Sequence, residues 1–224
     1  MKTSIIIPAH NEEKNIGDFL QDLSKKKLGD EIIVVCNGCT DRTPEVVKNI
    51  RNPRIRVVIL PEAGKGAAII KGFGQAKYDY MGFVDADGAF RLEDIKNIID
   101  SLKDYDCAIA SKWKGQKFSS VHWPPTRKAF SRVWNFFVNI LLKLGLEDTQ
   151  AGVKFLRRSV YYTIDHNFIC KGFEFDVELL LKIKRKGFRI KEIYTPVKNS
   201  KKSTFSLLNT PKMFINLLRL RLSA

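Results

Sequence analysis

The chain has 224 residues, enough for one sizeable core, and 44% of them are hydrophobic, which excludes a disordered chain. Its net charge of +15 implies an anionic partner: nucleic acid, anionic lipid or a phosphorylated substrate. No run of about 18 apolar residues occurs, so no transmembrane helix is expected, and the apolar run after Met1 is too short for a signal peptide, which predicts a cytoplasmic protein.

Residues 2–8 read as a first strand, rich in β-branched isoleucine and ended by Pro8. A loop follows, in which Asn11 is placed to cap a helix over 12–25 with the apolar stripe Ile16, Phe19, Leu20 and Leu23. Residues 31–36 are an unbroken apolar run, suited to a parallel strand covered on both faces. Asn37-Gly38-Cys39-Thr40-Asp41 turns into a helix over 43–50, with Pro44 in its first turn. Cys36 and Cys39 have the C-x-x-C spacing of a redox pair or half a zinc site. No second such pair completes a site, so reduced thiols are expected for these two, Cys107 and Cys170.

A third strand is expected over 54–60. Residues 62–68 then form a glycine-bearing loop that opens a helix. Glycine lets a backbone approach phosphate, and helix N-termini attract anions. A plain helix start is the alternative, and the spacing is not that of a P-loop. Tyr80-Met81-Gly82-Phe83-Val84 reads as a short buried strand opening into Asp85-Ala86-Asp87-Gly88. Residues i and i+2 of an extended segment point the same way, so both carboxylates can face one cation. Mg²⁺ and Mn²⁺ take oxygen ligands and share them with substrate phosphates. Two solvated turn aspartates are the alternative.

A helix over 92–102 and a strand over 107–111 continue the alternation. It predicts an α/β fold, a mostly parallel sheet flanked by helices and joined by right-handed crossovers. The loops at 8–12, 37–41, 64–66 and 85–89 then converge at the carboxyl edge of the sheet, where such folds bind ligands.

Residues 112–132 are basic and aromatic, and Pro124-Pro125 predicts loop there. Residues 134–144 form a very apolar helix, read as an interfacial helix with a cationic collar; a core helix is the alternative. A strand over 153–156, a helix from Phe173 with acidic residues in its first turn, and a last strand over 189–196 follow. Those acids cap the helix, or one of them enters the site. A basic segment over 198–206 leads to an amphipathic helix over 207–222, docked or at a membrane surface.

In this order and spacing, Ile5-Ile6-Ile7-Pro8-Ala9-His10-Asn11-Glu12-Glu13, Val34-Val35-Cys36-Asn37-Gly38-Cys39-Thr40-Asp41, Gly64-Lys65-Gly66-Ala67-Ala68 and Asp85-Ala86-Asp87 resemble the family 2 inverting glycosyltransferases of the GT-A fold. Within it the likeness is to the dolichyl-phosphate hexose synthases, on the glucosyl rather than the mannosyl side at Asp85–Ala89 and Asp148–Lys154. The resemblance implies transfer of a hexose from a nucleotide sugar, UDP-glucose or GDP-mannose, to a polyprenyl or dolichyl phosphate, with Mg²⁺ or Mn²⁺. It implies that Pro8, His10, Glu12, Val35, Asn37, Lys65, Asp85 and Ala86 hold the nucleotide sugar. Asp87, with Asp85, would hold the metal, and Arg127 and Ser131 the lipid phosphate. Lys112, Lys201 and Lys202 would be cations for the leaving diphosphate, the last two on the acceptor side, and Asp148 and Asp176 would hold sugar hydroxyls. The chain departs from the family at Asn37, where an acid is usual, at Cys39 in place of serine, at Ala89 in place of the mannosyl enzymes' glutamine, and at Lys112 in place of arginine.

Residues 1–200 are expected to form the catalytic domain, with 112–146 as its acceptor and membrane-contact segment, and 201–224 a linker and C-terminal helix. The protein is expected to be peripheral on the cytoplasmic face of the membrane, and a homodimer is compatible with the sequence. Alternatives are a non-lipid acceptor, a nucleotidyltransferase, or a nucleic-acid-binding protein, for which no recognisable motif is present.

Overall fold

Isoleucine and valine fill the strand segments at period two, so each strand offers an apolar set to both faces of the sheet. The computed structural model describes residues 1–121, 123–197 and 210–222. Its sheet comprises β1 (Thr3–Ala9), β2 (Glu31–Asn37), β3 (Ile55–Leu60), β4 (Tyr80–Val84), β5 (Cys107–Ser111), β6 (Val153–Arg157) and β7 (Ile190–Tyr194), ordered β3-β2-β1-β4-β6-β5-β7. Ile6, Phe83 and Leu156 pack on one face with α3 (Lys65–Phe73), α5 (Pro125–Leu142), α7 (Phe175–Arg185) and α8 (Thr210–Leu222). Ile5, Ile7, Val34 and Phe155 pack on the other with α1 (Ile16–Lys25), α2 (Thr43–Lys48) and α4 (Leu92–Asp100). The result is a helix–sheet–helix sandwich.

Strands β1 to β4 pair in parallel, with Ile5 opposite Gly82 and Pro8 opposite Val35. β6 runs antiparallel to both neighbours. The reason lies in the 41 residues between β5 and β6. They stay at the carboxyl edge, so β6 must enter the sheet from that edge and run back. This detour carries α5, and with it Arg127, to the edge where the β1, β2 and β4 loops end.

Three elements differ from the sequence reading. Helix α1 begins at Ile16, because Asn11 adopts a φ of 55° and its Oδ1 accepts the Thr40 N–H at 2.8 Å instead of capping. Helix α5 begins at Pro125, not at residue 134: a first-turn proline gives up no hydrogen bond there, so the basic residues 127–132 are helical. A short helix, α6 (Arg158–Thr163), continues directly from β6.

Helix α5 settles between its two readings by having two faces. Trp134, Val138 and Leu142 are buried with Met213, Leu217 and Leu220 of α8. The opposite face leaves Val133, Phe136 and Ile140 exposed, Phe136 at 60%. Ile215, Leu218 and Leu222 of α8 are also exposed, and Phe137 meets Phe214 edge-to-face at 5.2 Å, joining the two helices' apolar surfaces. Among the described residues no helix is long and apolar enough to cross a membrane.

Candidate active site

The carboxyl ends of β1, β2 and β4 and the start of α3 surround a cavity of about 670 Å³. Pro8, His10, Glu12, Asn37, Lys65, Asp85, Ala86 and Asp87 all line it, so the loops singled out in the sequence do converge.

Asp85 leaves the end of β4 with its amide donating to Gly152 O at 2.8 Å. Any Cβ at Gly152 would fall onto Asp85 Oδ2, so only glycine lets β6 approach this closely. Lys65 Nζ reaches Asp85 Oδ1 at 2.8 Å and Asp176 Oδ2 at 3.3 Å. Lys154 Nζ donates to Asp176 Oδ1 at 2.6 Å and to Ala151 O at 2.7 Å. Four charges thus alternate beneath the cavity, from Lys154 through Asp176 and Lys65 to Asp85. Burial alone would pull Lys65 down, but Asp176 and Asp85 outweigh it and hold the ammonium above the usual lysine range. Of the three acids the sequence left between capping and function, Glu174 lines the cavity. Asp176 lies buried beneath it between Lys65 and Lys154, out of reach of a sugar hydroxyl, and Glu178 accepts the Ile169 and Cys170 amides at 3.1 and 2.7 Å.

Asn37 joins three loops. Its Nδ2 donates to Ala9 O at 2.9 Å, its Oδ1 accepts the Gly64 N–H at 2.9 Å, and its carbonyl accepts His10 Nδ1–H at 2.7 Å. A carboxylate here could not donate to Ala9, which gives the departure at this position a structural reason. Glu12 is steadied through its amide, which donates to Thr43 Oγ1 at 2.7 Å.

Two amides at the start of α3 are not free for a ligand. Gly66 and Ala67 N–H both donate to Lys171 O, at 2.9 and 3.3 Å. A Cβ at Gly66 would meet Phe175 Cβ at 2.6 Å, so this glycine admits the 171–175 chain rather than a phosphate.

Several expected site residues lie elsewhere. Val35 is fully buried in the core, so its side chain cannot touch a base. Lys112 and Asp148 do not line the cavity; they neutralise each other at 2.6 Å, the carboxylate wholly buried. That pairing takes Lys112 out of reach as a cation for a leaving group and Asp148 as a sugar ligand. Ser131 Oγ accepts the Trp113 indole N–H at 2.9 Å. Arg127 stacks on Trp123 at 3.8 Å, and its charge is felt at Asp87. Lys201 and Lys202 lie outside the described residues.

The donor set suits a hard divalent ion at Asp87. Its Oδ1 accepts the Ala89 N–H at 3.0 Å, and no cationic side chain pairs with it among the described residues. Desolvation in the cleft, with Glu12 nearby, raises its carboxyl above the usual range. Asp85 is less free, since Lys65 occupies its Oδ1. Among the described residues no cluster of three or more His, Cys, Asp or Glu side chains could cage a metal alone, so an ion here would share its shell with phosphate and water. Cys36 offers no ligand: burial, with Cys39 beside it, pushes its thiol up to about 12.

Residues 4–165 match the family model for glycosyl transferase family 2. The chain belongs to this family. A dolichyl-phosphate beta-glucosyltransferase of Trichomonas vaginalis is 30% identical over 97% of the chain and 72% of that protein. An undecaprenyl-phosphate mannosyltransferase of Micrococcus luteus is 29% identical over 86% and 82%. The glycosyltransferase AglD of Haloferax volcanii is 27% identical over 86% of the chain, which spans only 32% of AglD. Among solved structures, glucosyl-3-phosphoglycerate synthase of Mycobacterium tuberculosis with Mn²⁺, UDP and phosphoglyceric acid superimposes with a TM-score of 0.73 at 20% identity, covering 98% of the chain and 78% of that one. Its complex with Mg²⁺ and UDP gives 0.72 at the same identity, over 98% and 79%. This glycosyltransferase therefore has the GT-A fold.

The sequence reading of this family 2 glycosyltransferase missed two parts of the site. One is Lys154, whose signal is a single cation inside the apolar strand Val153-Lys154-Phe155-Leu156. The other is the far wall of the cavity, formed by 169–174 and α8. Arg219, one of two arginines in the leucine-rich stretch 217–222, was its trace.

Proposed function

We propose that this glycosyltransferase moves a hexose, with inversion at the anomeric carbon, from a nucleotide sugar to a polyprenyl phosphate at the cytoplasmic face of a membrane. The observation that carries the reading is the union of two features: an aspartate pair in a cavity at the sheet edge, and an uncovered apolar surface on α5 and α8 beside it. The first suits a nucleoside diphosphate with a divalent ion, and the second suits a lipid-borne acceptor. Relatives named for transfer to dolichyl and undecaprenyl phosphate support the acceptor class.

In the reaction, the acceptor phosphate oxygen bonds to the anomeric carbon as the bond to the donor's diphosphate oxygen breaks. The nucleoside diphosphate leaves with the electron pair. The acceptor is already anionic, so no strong general base is required. Pro8, His10, Glu12 and Asn37 would receive the base and ribose, and Asp85 and Ala86 the ribose and sugar. Asp87 would hold Mg²⁺ or Mn²⁺, which supplies positive charge to the leaving diphosphate. Lys65 orients Asp85, and Arg127, beside Asp87 at the head of α5, would face the acceptor phosphate with Ser131. Residues 1–200 serve as the catalytic domain and 201–224 as a linker and helix, with α8 adding a cavity wall. The surplus of Lys and Arg draws the protein to anionic lipid, at about 1 kcal/mol per side chain near the surface.

The test is transfer of labelled glucose from UDP-glucose, or mannose from GDP-mannose, to a short polyprenyl phosphate with Mg²⁺. Label entering the lipid phase from one donor supports the reading. Label reaching only a soluble acceptor would overturn it. Flotation with anionic vesicles reports the surface: Phe136→Ser with Ile140→Ser should weaken binding at least about tenfold without lowering Tm.

A further inference from the structure

The cavity's far wall has no part in the assignments above. It is built from Ile169, Lys171, Phe173, Met213, Asn216 and Arg219. Its backbone is fixed. The Lys171 carbonyl is held by the Gly66 and Ala67 amides, and Asn216 Nδ2 donates to the carboxylate of Glu174, which is itself buried. Lys65, Lys154 and Lys182 each meet a carboxylate, but neither Lys171 nor Arg219 pairs with one among the described residues. The wall therefore presents two cations without a salt-bridge partner among the described residues, with the Asn216-held Glu174 carboxylate on the same wall.

The place of Arg219 on α8 is informative. It lies three residues beyond Asn216, which is buried at the cavity, and four beyond Ile215, which is exposed on the apolar stripe with Leu218 and Leu222. Residues at these spacings are neighbours on a helix surface. Arg219 thus stands where the cavity opens onto the apolar face.

We propose, on the transferase reading above, that Lys171 and Arg219 form a phosphate-binding mouth of this cavity. Guanidinium and ammonium groups recognise phosphate through charge-assisted hydrogen bonds, bidentate in the case of arginine. Two phosphates of the reaction have this chemistry: the donor's diphosphate, and the acceptor's phosphate with its tail along the apolar stripe.

Arg219→Gln and Lys171→Gln are compared with Arg221→Gln, the same charge change at an exposed site of α8 outside the cavity. One arm measures UDP and GDP binding by calorimetry with Mg²⁺; the other measures KM for a short polyprenyl phosphate at saturating donor. The inference expects about a tenfold loss in one arm for the two mouth variants, that arm naming the phosphate, and a change within roughly twofold for Arg221→Gln. Arg219→Lys should lose less than Arg219→Gln. Mouth variants that match wild type in both arms, or a control that falls equally, overturn the inference while leaving the transferase reading in place. A wild type that neither binds nucleotide nor transfers sugar overturns both.

Discussion

Lys65 Nζ sits 2.8 Å from Asp85 Oδ1, so the first carboxylate of the aspartate pair is tied to the first residue of α3 before any ligand arrives. The same ammonium reaches Asp176 at 3.3 Å, and both partners are largely buried. Lys65→Met should leave the one-third exposed Asp85 without a cation and the buried Asp176 with Lys154 alone, at a cost of about 1–3 kcal/mol. Urea unfolding measures it. A loss under about 1 kcal/mol would mean that the network carries no such weight.

Gly152 is the close contact behind that pair. Gly152→Ala places a methyl group on Asp85 Oδ2 and must displace the side chain. Crowding of this kind costs about 1–3 kcal/mol, and donor affinity should fall with it. Calorimetry with nucleoside diphosphate and Mg²⁺ reads the second effect; unchanged affinity would show that Asp85 does not touch the donor.

Asn37 tests the departure from the family pattern. Asn37→Asp exchanges the donor that faces Ala9 O for an acceptor, while the Gly64 bond survives. An unsatisfied buried group and two facing oxygens should cost about 1–3 kcal/mol. Asn37→Ser, which keeps a donor, should cost less; thermal unfolding of the two variants decides.

These elements show what was legible in sequence. A short apolar strand broken by Asp-x-Asp-Gly announces both the strand and the edge at which it ends, and the other cavity loops are marked in the same way. The antiparallel course of β6 was hidden, since direction depends on where α5 leaves the chain. Lys154 was hidden too. A lysine inside a strand breaks the apolar pattern, and only Asp176, 22 residues on, explains it. Lys112 misled for the converse reason: its neighbourhood looked catalytic, yet Asp148 neutralises it.

The buried thiols set a limit at alkaline pH. Burial pushes Cys36 and Cys107 up to about 12 from 9.0; Cys39 adds to this at Cys36, whereas Lys154 opposes it at Cys107. The folded state therefore keeps protons that the unfolded chain releases. The contribution is complete below pH 9 and is lost as pH rises from 9 towards 12, at about 1.4 kcal/mol per pH unit for each thiol. Urea unfolding between pH 8 and 10.5 (values chosen around the roughly 8.5–9 range of a free thiol) should show the decline, and Cys107→Ala should flatten it.

The most direct test of the central claim is lipid-extractable label formed by wild type and by Asp87→Asn under the same Mg²⁺ concentration. The account predicts metal-dependent transfer to polyprenyl phosphate by wild type. It predicts a loss of at least about a hundredfold in Asp87→Asn, with urea unfolding unchanged, since Asp87 pairs with no cationic side chain among the described residues. Equal label from both proteins, or none from wild type with either donor, would contradict it.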